Sequence, residues 1–287
     1  MLDSFVTSVD LSDLIVLRKR KDRLSAVTMR GLGSESIPPE KNNALKAAEA
    51  FSETFGCNGA EITVYKNIPI GAGLGGSSAD VVGVLNGMAR MYGVTDRAAL
   101  KALADRLGSD TGYMLDGGFA RMQGRGERVT RLPIDKTLHF LLFCPPFSVS
   151  SGECYRQFDK TYADAPKREN RTEKCIAAFM SNEINDGGRY LTNALFEAAA
   201  SLNGDVKAAF EAAQTFSPLG VTMTGSGSCV AALFETKELC EWAQSRYKGK
   251  CRTYVVKTVK PDYVGKKRSF FRNPFALSDE ETEGLGE

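Results

Sequence analysis

Apolar residues fall along this chain at two spacings, and the switches between them mark the elements. Val9 to Leu17 and Ser25 to Met29 are rich in β-formers and read as the two strands of a hairpin. The basic run Arg18 to Arg23 between them reads as a solvated turn rather than a phosphate patch. Glycine, serine and two prolines make 31–40 a loop. Leu45, Ala48 and Phe51 then take up helical spacing, which predicts a helix over Asn43–Phe55 that Gly56 ends. Ala60–Lys66 alternates Ile62 and Val64 with polar residues and is predicted to be a strand.

Behind a glycine-rich stretch, Val81, Leu85 and Met88 share one face of a helix over Ser78–Tyr92, closed by Gly93. A second helix runs over Asp96–Leu107 and stops at Gly108. Leu138–Phe143 reads as a buried strand ending at Pro145-Pro146, and the first lobe is placed at 1–143. The second lobe, 144–264, starts with a polar loop. Helices follow around 172–180, 191–200 and 206–215, then a strand over 220–224, a strand over 229–235, a helix over 237–248 and a strand over 253–257. Residues 265–287 are basic, then acidic, with no sustained period, and are expected to form a mobile tail. Strands and helices mix without a regular βαβ repeat, so the class is α+β in two lobes.

Composition narrows the function. Of 287 residues 43% are hydrophobic and 25% charged, the balance of a globular protein, and Lys plus Arg (37) nearly cancel Asp plus Glu (35). That balance gives no reason to expect nucleic acid. The seven cysteines show no C-x-x-C spacing, and neither a zinc site nor a disulfide framework is indicated. A reducing cytoplasm is the simplest setting. No apolar stretch is long enough to cross a bilayer, and the N-terminus lacks the basic start of a signal peptide. The single histidine, His139, lies in the buried strand and is given a structural role.

The stretch Pro69-Ile70-Gly71-Ala72-Gly73-Leu74-Gly75-Gly76-Ser77-Ser78-Ala79-Asp80 carries the chemistry. Its four glycines let backbone approach a ligand, and a helix N-terminus directly behind them favours an anion. Ser77 and Ser78 add hydroxyls for phosphate oxygens or a metal ion. A dinucleotide fingerprint would need a second strand ending in an acid roughly 20 residues on, where this chain is helical. A Walker A loop would need a lysine where Ser77 follows Gly76. The His-Arg-Asp and Asp-Phe-Gly motifs of protein kinases are absent.

The loop resembles the ATP-binding motif of the galacto-, homoserine, mevalonate and phosphomevalonate (GHMP) kinase superfamily. Within it the chain is most similar, over Leu2 to about Val256, to the 4-diphosphocytidyl-2-C-methyl-D-erythritol kinases. Leu2-Asp3-Ser4-Phe5 with Asp10-Leu11-Ser12-Asp13, Leu107-Gly108-Ser109-Asp110, Gly117-Gly118 with Gly124-Arg125-Gly126-Glu127, Asn193-Ala194-Leu195 and Thr224-Gly225-Ser226-Gly227-Ser228 match that family's motifs in order. The resemblance implies an N-terminal lobe like ribosomal protein S5 domain 2 and a ferredoxin-like C-terminal lobe. It implies ATP-dependent phosphorylation of the erythritol C2 hydroxyl, with ATP and Mg2+ as cofactors and a cytidine diphosphate compound as substrate.

By the same resemblance Pro69, Gly71, Gly73, Leu74, Gly75, Gly76, Ser77 and Ser78 hold ATP. Asp110 is the base, Tyr155 stacks on cytosine, and Gly225, Ser226 and Gly227 line the substrate. From local sequence alone Asp110 reads as a helix cap, Tyr155 equally well as a core residue, and 225–228 as a tight turn between strands. The metal ligands and the oligomeric state are not legible. Two departures stand out. Asp110-Thr111-Gly112 replaces the family's Asp-Val-Pro, and the glycine is expected to loosen the backbone beside the base. The family also opens with a strand carrying Lys and Asn, then Gly-Tyr-His, and Met1 falls just after that His. A segment of roughly 25 residues has no counterpart, and neither Lys66 nor the 18–23 run obviously replaces its lysine. The chain as given is therefore expected to be poorly stable and nearly inactive. The alternatives are a kinase for another small alcohol, or a nucleotide-binding protein with little catalysis.

Overall fold

The structure, a computed structural model, describes residues 2–31, 33, 37–38, 42–162 and 170–259. The first lobe is built on a three-stranded sheet of β2 (Leu14–Lys19), β3 (Ala26–Gly31) and β4 (Ala60–Lys66), in the order β2-β4-β3. β4 has the sharp alternation its sequence predicts, with Ile62 and Val64 inward. Three helices cover this sheet: α1 (Asn43–Phe55), α2 (Gly76–Tyr92) and α3 (Arg97–Leu107). Their apolar stripes meet it in one core that includes Phe51, Ile62, Val64, Leu85, Met88 and Leu103. Asn42 and Asp96 cap α1 and α3 through their side chains, and Gly56 and Gly93 end α1 and α2 in the left-handed conformation.

The expected hairpin is not formed. β4 lies between β2 and β3, antiparallel to the first and parallel to the second. The turn reading of 18–23 does hold past the end of β2, where Arg20 pairs with Asp22 and Glu61 at the surface. A second small sheet, β1-β5-β6, joins β1 (Leu2–Val6) to the hairpin β5 (Ala120–Gly124) and β6 (Arg128–Arg131). β1 was not apparent from the pattern. It is anchored by Phe5, which stacks on Phe119 and Phe179. A short helix, α4 (Thr111–Met114), precedes this hairpin and was also unpredicted.

The second lobe holds a four-stranded antiparallel sheet, β10-β7-β9-β8, of β7 (His139–Cys144), β8 (Gly220–Met223), β9 (Val230–Phe234) and β10 (Arg252–Lys257). β7, which the sequence places at the end of the first lobe, is hydrogen-bonded into this sheet on both edges. The residues expected to be a polar loop include a helix, α5 (Ser151–Tyr162). Cys154 is buried, Phe158 packs beside it and Tyr162 lies against Phe158, an i, i+4, i+8 stripe among otherwise polar residues. α6 (Thr172–Met180) falls where expected. The helix predicted over 191–200 is instead α8 (Phe196–Leu202), preceded by α7 (Ile184–Arg189). α9 (Gly204–Gln214) and α10 (Lys237–Arg246) pack with β7 and β9 around Leu141, Phe143, Val230 and Phe234. All seven cysteines are free thiols. No helix among the described residues is long and apolar enough to cross a membrane. The tail 265–287 lies outside the described residues.

Candidate active site

The glycine-rich loop leaves β4 and returns as α2. Gly71, Gly73 and Gly75 all have positive φ, at 67°, 72° and 67°. These left-handed residues wind the loop tightly and bring it to the start of a helix two residues earlier than the pattern suggested, so Gly76, Ser77 and Ser78 form the first turn of α2. Gly75, at the N-cap, offers no side chain to the helix, and that first turn holds no acid. The first N–H groups of α2 and its dipole are therefore left for an external anion.

Gly73 shows why the tip needs glycine. A Cβ there would lie 2.3 Å from the carbonyl oxygen of Thr224 and 2.8 Å from that of Gly227. The loop tip rests on the turn between β8 and β9, backbone against backbone. The Cys229 N–H and the Thr224 hydroxyl both donate to the Ala72 carbonyl, at 3.1 and 3.2 Å. The structure thus brings Gly71–Ser78 and Gly225–Gly227, far apart in sequence, into one site. Pro69 is half-buried at the loop's entry, and Leu74 packs partly into the core below.

Sequence reasoning missed the braces of this arrangement. Asn193 Nδ2 donates to the Met223 and Gly225 carbonyls, both at 2.8 Å, and holds the second turn in place. Asn43, at the start of α1, donates to Ser77 Oγ at 2.7 Å and ties two helix N-termini together. Ser151 of α5 shares a 2.6 Å hydrogen bond with Ser226. In the sequence Asn193 stands out only as part of a motif, and polar residues at helix starts read as caps.

Asp110 sits at the N-cap position of α4 but makes no capping bond there. It is exposed, and the surrounding protein still pushes its carboxyl above the usual value by desolvation. Its helix is fixed against both neighbours. Met114 reaches the glycine loop, its Cε standing 2.2 Å from where a Gly75 Cβ would be. Gly112 is helical and buried, and a Cβ on it would fall 1.7 Å from Asp105 Oδ1, in the Lys101–Asp105 ion pair of α3. The glycine in the family's proline position thus lets α4 pack closely on α3, where loosened backbone was expected. Tyr155, 48% exposed on α5, faces the same region. Burial raises its phenol pKa, and the Asp110 charge adds to the rise. Among the described residues no three His, Cys, Asp or Glu side chains group to hold a metal ion. His139 lies in β7 as expected, its Nδ1 buried without a partner.

An uncapped helix N-terminus behind left-handed glycines, with an unengaged carboxylate on a helix packed against it, is the equipment of an ATP-dependent phosphotransferase. Residues 42–120 match the family of the GHMP kinases N terminal domain and residues 175–249 that of the GHMP kinases C terminal, and the chain belongs to the GHMP kinases, which act on small molecules.

Within them it is a member of the 4-diphosphocytidyl-2-C-methyl-D-erythritol kinase family. It is 32% identical to the kinase of that name from Carboxydothermus hydrogenoformans over 81% of this chain and 79% of the relative. With that of Clostridium beijerinckii it shares 30% over 90% and 91%. A solved 4-(cytidine 5'-diphospho)-2C-methyl-D-erythritol kinase superposes with a TM-score of 0.72 at 25% identity, covering 89% of each chain. A homoserine kinase from Cytophaga hutchinsonii reaches the same TM-score at 20% identity, which shows the shared two-lobed α+β fold.

Proposed function

We propose that this chain transfers the γ-phosphoryl group of ATP to the C2 hydroxyl of 4-diphosphocytidyl-2-C-methyl-D-erythritol, in the non-mevalonate isoprenoid pathway. The observation that carries the reading is the free Asp110 carboxylate on a helix that Met114 packs against the glycine loop. Phosphoryl transfer asks a protein mainly to position the reactants and stabilise charge, with one group to orient the attacking hydroxyl. Gly71, Gly73, Gly75 and Gly76 would hold the phosphates on the N–H groups that open α2, with the Ser77 and Ser78 hydroxyls beside them. Mg2+ would be held with the ATP phosphates by the Ser77 and Ser78 hydroxyls, where it would supply positive charge to offset that of the phosphates.

Asp110 accepts the proton of the attacking hydroxyl. Desolvation makes it more basic than a free aspartate, which suits that task. Tyr155 stacks on the cytosine, an interaction worth about 1–3 kcal/mol in proteins that bind bases. Gly225, Ser226 and Gly227, held by Asn193, present backbone and a hydroxyl to the acceptor where it meets the ATP loop.

The test is acceptor-dependent ADP release by the purified protein. ADP should form when the cytidine diphosphate compound is supplied and not with homoserine, mevalonate or galactose. Comparable kcat/KM for any of those three would overturn the substrate assignment. ATP binding with no turnover of any acceptor would leave a nucleotide-binding protein instead.

A further inference from the structure

Two charged side chains occupy places that the hydrophobic pattern reserves for apolar ones. Lys66 is the last inward residue of β4, in line with Ala60, Ile62 and Val64. Asp80 lies on the buried stripe of α2 with Val81, Val84, Leu85 and Met88. They meet below the glycine loop. Lys66 Nζ donates to Asp80 Oδ2 at 2.8 Å and also to Asp13 Oδ2. The three side chains are 4, 7 and 3% exposed for Lys66, Asp80 and Asp13. The other oxygen of Asp13 accepts the backbone N–H groups of Asn67 (2.6 Å) and Ile68 (2.8 Å), the first two residues of the loop. The other oxygen of Asp80 is buried without a partner. A Cβ on Gly76 would stand 3.5 Å from Lys66 Nζ, so the cluster lies directly under the first turn of α2.

Taking three charges out of water is costly, and an apolar trio of similar size generally stabilises a core as well or better. What an apolar trio lacks is direction. Here the bonds run from the loop's entry, through Asp13 and Lys66, to Asp80 behind its exit. The segment between carries three left-handed glycines, whose backbone loses the most freedom on ordering. Its tip is already held by Thr224 and Cys229. We propose that Lys66, Asp13 and Asp80 are positioning residues that fix both ends of the glycine loop and hold its N–H groups in the shape that receives the ATP phosphates. Burial raises the Asp80 carboxyl to about 7, Lys66 opposing the rise and Asp13 adding to it. The cluster can therefore hold a proton rather than set a net negative charge beneath a phosphate site.

The proposal rests on the kinase reading for its ligand, so its test measures ATP affinity directly, by calorimetry on the full chain without acceptor. The triple variant Asp13→Asn/Lys66→Met/Asp80→Leu removes all three charges while leaving an amide oxygen to accept the Asn67 and Ile68 N–H groups, and it should melt near the parent temperature. Its ATP affinity should fall about tenfold or more, with the KM of the cytidine acceptor changed by less than about twofold. If that variant does not fold, Asp80→Ala decides, since it cuts the bond that ties Lys66 to the helix behind the loop's exit, and ATP affinity should drop about threefold or more. Parent-like ATP affinity in the folded variant would overturn the proposal and leave the cluster as a core feature only. A parent protein that binds ATP but phosphorylates no acceptor would defeat the kinase reading and leave this comparison intact.

Discussion

Asp110 stands where an aspartate ordinarily caps a helix, yet its carboxylate is not used for that. A side chain left free at such a site, on a helix packed against an anion-binding loop, is available for chemistry. Asp110→Asn keeps its shape and removes the proton acceptor, and kcat should fall on the order of 100- to 10,000-fold with little change in melting temperature. A kcat within a few-fold of the parent would make the residue structural. Because its pKa is raised, the acid limb of the kcat/KM profile should lie above the ordinary carboxylate range. The rate needs the ionised form and is lost as pH falls through the folded-state pKa. Tyr155→Ala should raise the KM of the cytidine acceptor and spare that of ATP, whereas Tyr155→Phe keeps the ring and should change neither by much. Equal effects of Tyr155→Ala on both KM values would count against stacking. Neither proposed role is legible locally. An aspartate after Gly-Ser reads as a cap, and only the order of motifs around it said otherwise.

At the scale of elements, the glycine loop was the most legible feature, because its composition is its mechanism. Two of its glycines should fail differently. At Gly75 the space is bounded only by the flexible end of Met114, so Gly75→Val should strain the loop at its positive φ and abolish ATP binding while the protein stays folded. At Gly73 the obstacle is the backbone of the facing turn. Gly73→Ala should lose both ATP binding and stability, the left-handed conformation alone costing about 1–2 kcal/mol. Calorimetry and thermal unfolding together separate the two cases, and unchanged ATP affinity in Gly75→Val would remove the loop from the site. The elements that escaped sequence reading did so for definite reasons. The strands β2 and β3 were recognised but mispaired, since β4 enters between them from across a helix and nothing local announces it. α5 reads as a loop because its stripe of Cys154, Phe158 and Tyr162 is thin and set among polar residues of low mean hydropathy, although the three do fall at helical spacing. Lys66 reads first as a strand residue ahead of the loop, although its place in the β4 alternation marks it as inward-facing.

In the whole molecule, the lobes meet through two glycine-bearing turns, and a buried charge cluster lies under the nucleotide site. Asp80 links that cluster to global stability. Its carboxyl ordinarily titrates near 3.8 and is raised to about 7 in the fold. Between those values the folded state holds a proton that the unfolded chain has lost, so this contribution is full below 3.8 and disappears as pH rises to about 7. Asp80→Asn does not titrate, and its melting temperature relative to the parent should be higher at pH 8 than at pH 5. A difference that is the same at both values would show that Asp80 does not carry this proton.

The central claim is that this site directs phosphate from ATP onto one hydroxyl of one acceptor. It is tested most directly by incubating the protein with ATP and 4-diphosphocytidyl-2-C-methyl-D-erythritol and locating the new phosphate by phosphorus and carbon NMR. The account predicts one equivalent of ADP and a single product phosphorylated at the C2 hydroxyl, with Asp110→Asn giving neither at a comparable rate. Phosphate on another hydroxyl, or ADP formed without a phosphorylated product, would contradict it.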